Sequence, residues 1–264
     1  MFTALTMCRM SDEPRNATVP AARERRVGSR IQRQVMQLIL DRRLRPGEPM
    51  PTETELMDTL EVSRNSLREA LKALQALDIV EIRHGHGTYV GQASLSPFVD
   101  GLTFRTLARD AWRTPRANSS GDTQALGEIL QVREVLEEGL IRRVAETLDD
   151  RELDELDAVV RRMEAAGRAG EAFPELDREF HEKLYRSLGN ALVPQLLAAF
   201  WNVFHRVAGV RGWTEDPAPS VTARRHREIL NALRARDVEQ AQRAMADHFR
   251  GIEARAWQET LGVK

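Results

Sequence analysis

Residues Val62–Leu74 read VSRNSLREALKAL, a stretch that answers two demands at once. Leu67, Ala70, Leu71 and Leu74 recur at helical spacing and define one apolar face. Ser63, Arg64, Asn65, Ser66 and Arg68 crowd the amino-terminal end with hydrogen-bonding groups. A helix entering the major groove of DNA divides its labour in this way: its first residues meet base edges while its apolar face stays on the protein. Arg can donate twice to guanine and Asn can pair with adenine, each contact worth about 1–3 kcal/mol of discrimination. Ser63, Ser66 and the helix terminus suit phosphates, because backbone N–H groups and the helix dipole favour an anion there.

The flanking residues supply the rest of a DNA-binding head. A helix is expected over residues 25–43, with Ile31, Val35, Leu38 and Ile39 on one stripe, ending at the turn Leu44-Arg45-Pro46-Gly47. Thr52 with Glu55 three residues later forms a capping box for a short second helix, whose apolar face is Leu56, Met57 and Leu60. Glu61-Val62 turns into the third helix, with Ser63 as its N-cap. Behind it, Ile79–Arg83 and Thr88–Val90 are strand-like runs flanking His84-Gly85-His86-Gly87, where glycine permits the positive φ of a tight hairpin. Three helices and a hairpin over residues 23–91 predict a winged helix-turn-helix.

This head resembles the DNA-binding domain of the GntR family of bacterial transcription regulators. The carriers are the proline-glycine turn, the short helix, SRNSLREAL and the glycine-rich hairpin, across Arg25–Val90. The resemblance implies that Arg64 and Arg68 read bases or phosphates, together with Arg45, Ser63, Asn65 and Ser66, and that His84 and Gly85 sit at the wing tip. One position departs from the pattern: Thr54 stands where many relatives carry an arginine, so the operator is not transferable from them.

Composition bounds the remainder. The chain has 264 residues, room for two domains, with 42% hydrophobic and 30% charged residues and a net charge of −1. Residues 21–91 carry 12 Lys/Arg against 10 Asp/Glu, and residues 123–264 carry 21 against 25. Such mild polarity does not by itself imply a nucleic-acid partner; the placement of the charges does. No apolar run approaches the roughly 20 residues that span a bilayer. One cysteine, Cys8, allows no internal disulfide and fits a reducing cytoplasm. Residues 1–22 read as a disordered leader and 92–122 as a linker with a short helix around Phe98–Ala108. From residue 123 onward the pattern predicts six helices, at about 123–148, 150–168, 172–188, 191–209, 220–235 and 237–258. The expected fold class is mainly α: a winged helix-turn-helix followed by an antiparallel all-α bundle over residues 123–260.

Three histidines and an aspartate of this bundle share a pattern. Asp177 and His181 lie four apart in LDREFHEKL, which places them on one helix face about 5–6 Å apart. His226 falls on the apolar face with Ile229, Leu230 and Leu233, and His248 on the face with Met245, Phe249 and Ile252. The two helices meet near Arg236, so at about 1.5 Å per residue an antiparallel pair brings both imidazoles to similar height. Three imidazoles and a carboxylate suit a divalent ion, Zn first, with Ni, Mn or Fe also admissible. His205 is assigned no role.

This half resembles the FCD effector domain of the FadR-type branch of the GntR family, across residues 123–258, through the REVLE segment, the D-xxx-H pair and the two late histidines. The resemblance implies that Asp177, His181, His226 and His248 hold the metal, that Arg133 clamps a carboxylate, and that the effector is a small organic acid. It further implies a homodimer on a near-palindromic double-stranded operator. The leading expectation is a ligand-responsive regulator acting as a repressor in the cytoplasm. The alternatives are a regulator for which the ion itself is the signal, and a metal-dependent hydrolase. No second acid–base group at a spacing tied to the site supports hydrolysis.

Overall fold

The computed structural model describes residues 19–111, 121–210, 216 and 218–261. They form two compact units that divide between Ser94 and Leu95. Most of the leader, residues 1–18, lies outside the described residues, and α1 already begins at Val19.

The first unit contains α1 (Val19–Asp41), α2 (Glu53–Leu60), α3 (Arg64–Ala76), β1 (Val80–Arg83) and β2 (Gly87–Val90). Ile31 and Val35 of α1, Leu56 of α2, and Leu67, Leu71 and Leu74 of α3 close into one buried core with Val80 and Val90. The caps expected between these helices are present. Thr52 accepts from Glu55 N while the Glu55 carboxylate accepts from Thr52 N at 2.8 Å. Ser63 caps α3 by accepting from Ser66 N. Between α2 and α3, Glu61 takes a left-handed conformation with φ 51° and Val62 N donates back to Met57 O, which makes the turn tight.

The wing is an antiparallel hairpin in the register Val80↔Val90 to Arg83↔Gly87. Gly85 and Gly87 occupy φ 77° and 98° at its tip. The segment after the Pro46-Gly47 turn also pairs with β2: Met50 N donates to Thr88 O and Val90 N to Glu48 O. This third edge carries no strand signal in the sequence, because Pro49 lies within it, Pro51 follows it, and its pairing partner lies about forty residues away.

The second unit is a helical bundle of α4 (Ser96–Ala111), α5 (Gly121–Thr147), α6 (Asp150–Ala169), α7 (Pro174–Arg186), α8 (Leu192–Val210), α9 (Pro219–Arg234) and α10 (Val238–Leu261). Residues 96–111, inside the segment expected as linker, form a helix that packs on α8 and α5. Val99 joins Leu126, Ile129, Phe200, Val203 and Val207 in a small core of its own. The larger core draws Ile141 from α5, Leu156 and Val160 from α6, Phe180 and Leu184 from α7, Ile229 and Leu233 from α9, and Met245 and Phe249 from α10.

Breaks between the helices follow local chemistry. Asp149 and Glu152 make a second capping box, and Gly170 ends α6 at φ 74°. Proline opens both α7 and α9, where its missing N–H has no intrahelical partner to lose. The α9–α10 corner turns at Arg236 with φ 55°. Its guanidinium donates to Ala145 O and Leu148 O, satisfying carbonyls at the end of α5.

Candidate functional site

In the first unit, α3 presents Ser63, Arg64, Asn65 and Arg68 exposed at its amino-terminal end, with Ser66 half-buried beside them. The two serine hydroxyls lie 2.9 Å apart. Arg68 is not loose: its Nε donates to both carboxylate oxygens of Glu53 at 3.0 Å. Glu53, the first residue of α2, therefore orients a side chain of α3, a contact the sequence did not signal across fifteen residues. His84 and Gly85 are exposed at the hairpin tip. Nearby, Arg83 lies over the Tyr89 ring at 4.0 Å and pairs with Glu81. Arg45 is exposed in the turn after α1, and its backbone N–H is held by Glu48.

In the second unit, α7, α9 and α10 converge. Asp177, His181, His226 and His248 each offer a ligand atom, and these atoms all lie within 4.8 Å of one another. His226 Nε2 stands 3.0 Å from Asp177 Oδ1, and His181 Nε2 3.8 Å from the same oxygen. The three histidines are buried, at 4%, 0% and 1% exposure. Among the described residues, His181 Nε2, His226 Nε2 and both nitrogens of His248 are buried without a hydrogen-bond partner. Unmet polar atoms in an apolar interior are costly, and several converging on one point beside a carboxylate are accounted for by a shared cation. The residues fit a divalent ion.

The surroundings fix these donors as ligands of that kind require. His226 Nδ1 donates to Thr222 O at 2.8 Å, leaving Nε2 to face the cluster. His181 Nδ1 sits 2.6 Å from Glu137 Oε2, off the ideal N–H line. Glu137, fully buried, also takes Arg133 Nε at 2.5 Å and the Tyr185 hydroxyl at 2.9 Å. Burial alone would raise the Glu137 carboxyl, but Arg133 and His181 outweigh it and bring it to about 2. Asp177 likewise is pushed up by burial and down by the His226 contact and the other imidazoles, and ends well below the usual carboxylate range. Burial, reinforced by His226 and His181, holds His248 well below the ordinary imidazole value, in the neutral form that ligates. Tyr185 is driven well above its usual value by burial and by Glu137.

A cleft of about 240 Å³, its mouth included, opens beside His181. Arg133, Arg178, Leu197 and Trp201 are among its walls. Arg133 is 3% exposed, so it is a buried cation rather than a solvated helix arginine. Among the described residues, Trp201 Nε1 is buried without a hydrogen-bond partner. His205 stacks on Trp201 with centroids 3.7 Å apart and its Nδ1 lies 2.9 Å from Trp201 O; it does not belong to the four-donor cluster. Glu137, Tyr185 and Trp201 escaped the sequence reading. For Glu137 a signal existed, since it stands four residues after Arg133 on one helix face.

Residues 28–90 match the family described as bacterial regulatory proteins of the gntR family, and residues 128–251 match the FCD domain. The chain belongs to the GntR family. Relatives agree over most of their length. The HTH-type transcriptional repressor NanR of Cronobacter sakazakii is 29% identical over 90% of this chain and 88% of its own. The galactonate operon transcriptional repressor of Escherichia coli K12 is 26% identical over 75% and 83%. Among solved structures, the Streptococcus agalactiae GntR protein superposes with a TM-score of 0.64 at 26% identity, covering 86% of this chain and 99% of that one. This GntR-family chain is thus a DNA-binding transcription regulator with an FCD domain, and the relatives named are regulators rather than enzymes. Among the described residues, no helix is long and apolar enough to cross a membrane.

Proposed function

We propose that the chain is a ligand-responsive repressor, acting as a homodimer in the cytoplasm on a near-palindromic operator, whose DNA affinity is set by a small organic acid bound next to a divalent ion. The observation that carries this reading is the buried group of Asp177, His181, His226 and His248, whose ligand atoms lie within 4.8 Å of one another, with His181 also lining a cleft walled by Arg133. These four residues would hold the ion, and their N/O donor set favours zinc. When bound, the ion supplies a Lewis-acidic centre for one carboxylate oxygen. Arg133 faces the same cleft with its Nε committed to Glu137, an arrangement that fixes the plane of the guanidinium for a carboxylate. That the named relatives include a galactonate operon repressor is in keeping with an acid effector.

In the head, Arg64 and Asn65 would reach base edges, Arg68 would be aimed by Glu53, and Ser63, Ser66 and Arg45 would hold phosphates, with His84 and Gly85 in the neighbouring minor groove. The head would comprise residues 23–91, and the effector and dimer part would take in α4 together with residues 123–260. The acid can change operator affinity only by its difference in affinity for the free and DNA-bound forms.

The test starts from duplexes selected from a random pool by the purified protein. The selected duplex, labelled, is titrated with protein in the presence of a chelator, then zinc, then zinc with a panel of small carboxylic acids. Release that needs both zinc and an acid supports the proposal. Release by zinc alone would replace it with the metal-sensing alternative, and consumption of an acid would revive the hydrolase.

A further inference from the structure

The wing ends in Arg83-His84-Gly85-His86-Gly87. Its base is anchored, because Val80 and Val90 belong to the same core as Leu71 and Leu74 of α3. At about 3.3 Å per residue the tip stands roughly 10 Å beyond that core, so a charge placed there keeps a set position relative to α3. The tip is a tight turn, in which His86 N donates to Arg83 O at 2.9 Å and Gly85 takes φ 77°. Both imidazoles are exposed, and among the described residues neither is engaged by another side chain.

The other charges around the hairpin are fixed and mostly paired. Arg83 pairs with Glu81 at 2.8 Å while lying over the Tyr89 ring. On α3, which packs against β1, Arg68 pairs with Glu53 and Lys72 with Glu69, which leaves Arg64 as a permanent cation. The Glu48 carboxylate accepts from Arg45 N, and the Asp78 carboxylate accepts from Ser94 N. The titrating charge of this surface is therefore two imidazoles, and imidazole is the side chain that changes charge between pH 5 and 8. A phosphate beside an imidazole favours its protonated form. DNA binding that brings the tip to the backbone then takes up protons, and by reciprocity protons strengthen DNA binding.

We infer that His84 and His86 make the wing a proton-linked DNA contact, in which both imidazoles engage phosphates bordering the minor groove in their protonated form. Operator affinity then rises as pH falls through the imidazole range. The inference rests on the wing placement proposed above, and it adds His86 and the proton to that contact.

The selected duplex is titrated by fluorescence anisotropy with full-length, zinc-loaded protein at pH 8.0, 7.0 and 6.0 and constant ionic strength. Wild-type affinity should rise about tenfold from pH 8.0 to 6.0, as two imidazoles each favoured severalfold by a neighbouring phosphate imply. In the double variant His84→Gln, His86→Gln the rise should shrink to about twofold or less, with an unchanged far-ultraviolet spectrum. The bundle histidines are common to both proteins, so their titration cancels in the comparison. His86→Lys, which installs a permanent cation, should bind more tightly than wild type at pH 8.0 and gain less on acidification. Wild-type affinity that stays level from pH 8.0 to 6.0, or a rise that survives in the double variant, overturns the inference and leaves the DNA-binding reading of the head standing. No preference for the selected duplex over random duplex at any of the three pH values removes both.

Discussion

Arg64 opens α3 as an exposed side chain, whereas Arg68 on the same helix is pinned by Glu53. The first is available to bind a base edge, and the second has a preset direction. Arg64→Ala should weaken binding to the selected duplex by about 10–100-fold relative to random duplex, the range that corresponds to about 1–3 kcal/mol, with an unchanged far-ultraviolet spectrum. Unaltered discrimination, measured by fluorescence anisotropy, would remove Arg64 from the reading surface. In the other unit, Glu137 is the residue on which Arg133, His181 and Tyr185 converge. Glu137→Gln keeps the volume and loses the charge that orients the His181 ring, so zinc affinity should fall about 10–100-fold in competition with a chromophoric chelator. An unchanged affinity would leave Glu137 as packing alone.

At the scale of elements, the boundaries that could be read in advance are those written in local chemistry. Thr52 and Ser63 cap their helices as their positions imply, and the glycines of the wing take positive φ. What escaped notice depends on distant partners. The short helix expected around Phe98–Ala108 is present but longer, at residues 96–111, despite Pro97 and Gly101, and it belongs to the bundle rather than to a linker because Val99 finds α5 and α8 to pack on. The edge at residues 48–50 exists only because β2 is there to receive it. Gly91 is a similar case: a Cβ there would lie 2.3 Å from the Asp78 carbonyl oxygen, where backbone must shift to admit it. Gly91→Ala should destabilise the head by about 1–3 kcal/mol, seen as a lower urea midpoint. Gly101→Ala, inside α4 with nothing within 4 Å, should instead be neutral or stabilising by up to about 1 kcal/mol. The reverse order would contradict the close approach at Gly91.

For the whole molecule, the balance between buried charge and acid stability follows from the histidine cluster. In the chelator-treated, metal-free protein, His248 is held neutral by burial while the unfolded chain takes up a proton below about 6.5. The unfolded state then binds more protons as pH falls, so stability declines. Glu137, at about 2 against an ordinary 4.5, contributes stability that is complete above 4.5 and is lost as pH falls toward 2. The urea midpoint of the chelated protein should therefore drop between pH 7.5 and 5.5 and again below 4.5. A midpoint constant from 7.5 to 5.5 would show that His248 is not held neutral. The four-donor cluster was legible because histidine on an apolar helix face is conspicuous and because helix geometry carries Asp177 and His181 to one side. The Glu137–Arg133–Tyr185 network was not, since its members are spread over α5 and α7 and acquire meaning only when those helices pack. The central claim is that this DNA-reading protein is built around a bound divalent ion. Elemental analysis of the purified wild type and of a folded His226→Ala, His248→Ala double variant tests it most directly: one divalent ion per chain, absent from the variant, is the predicted result, and equal metal content in the two proteins would contradict it.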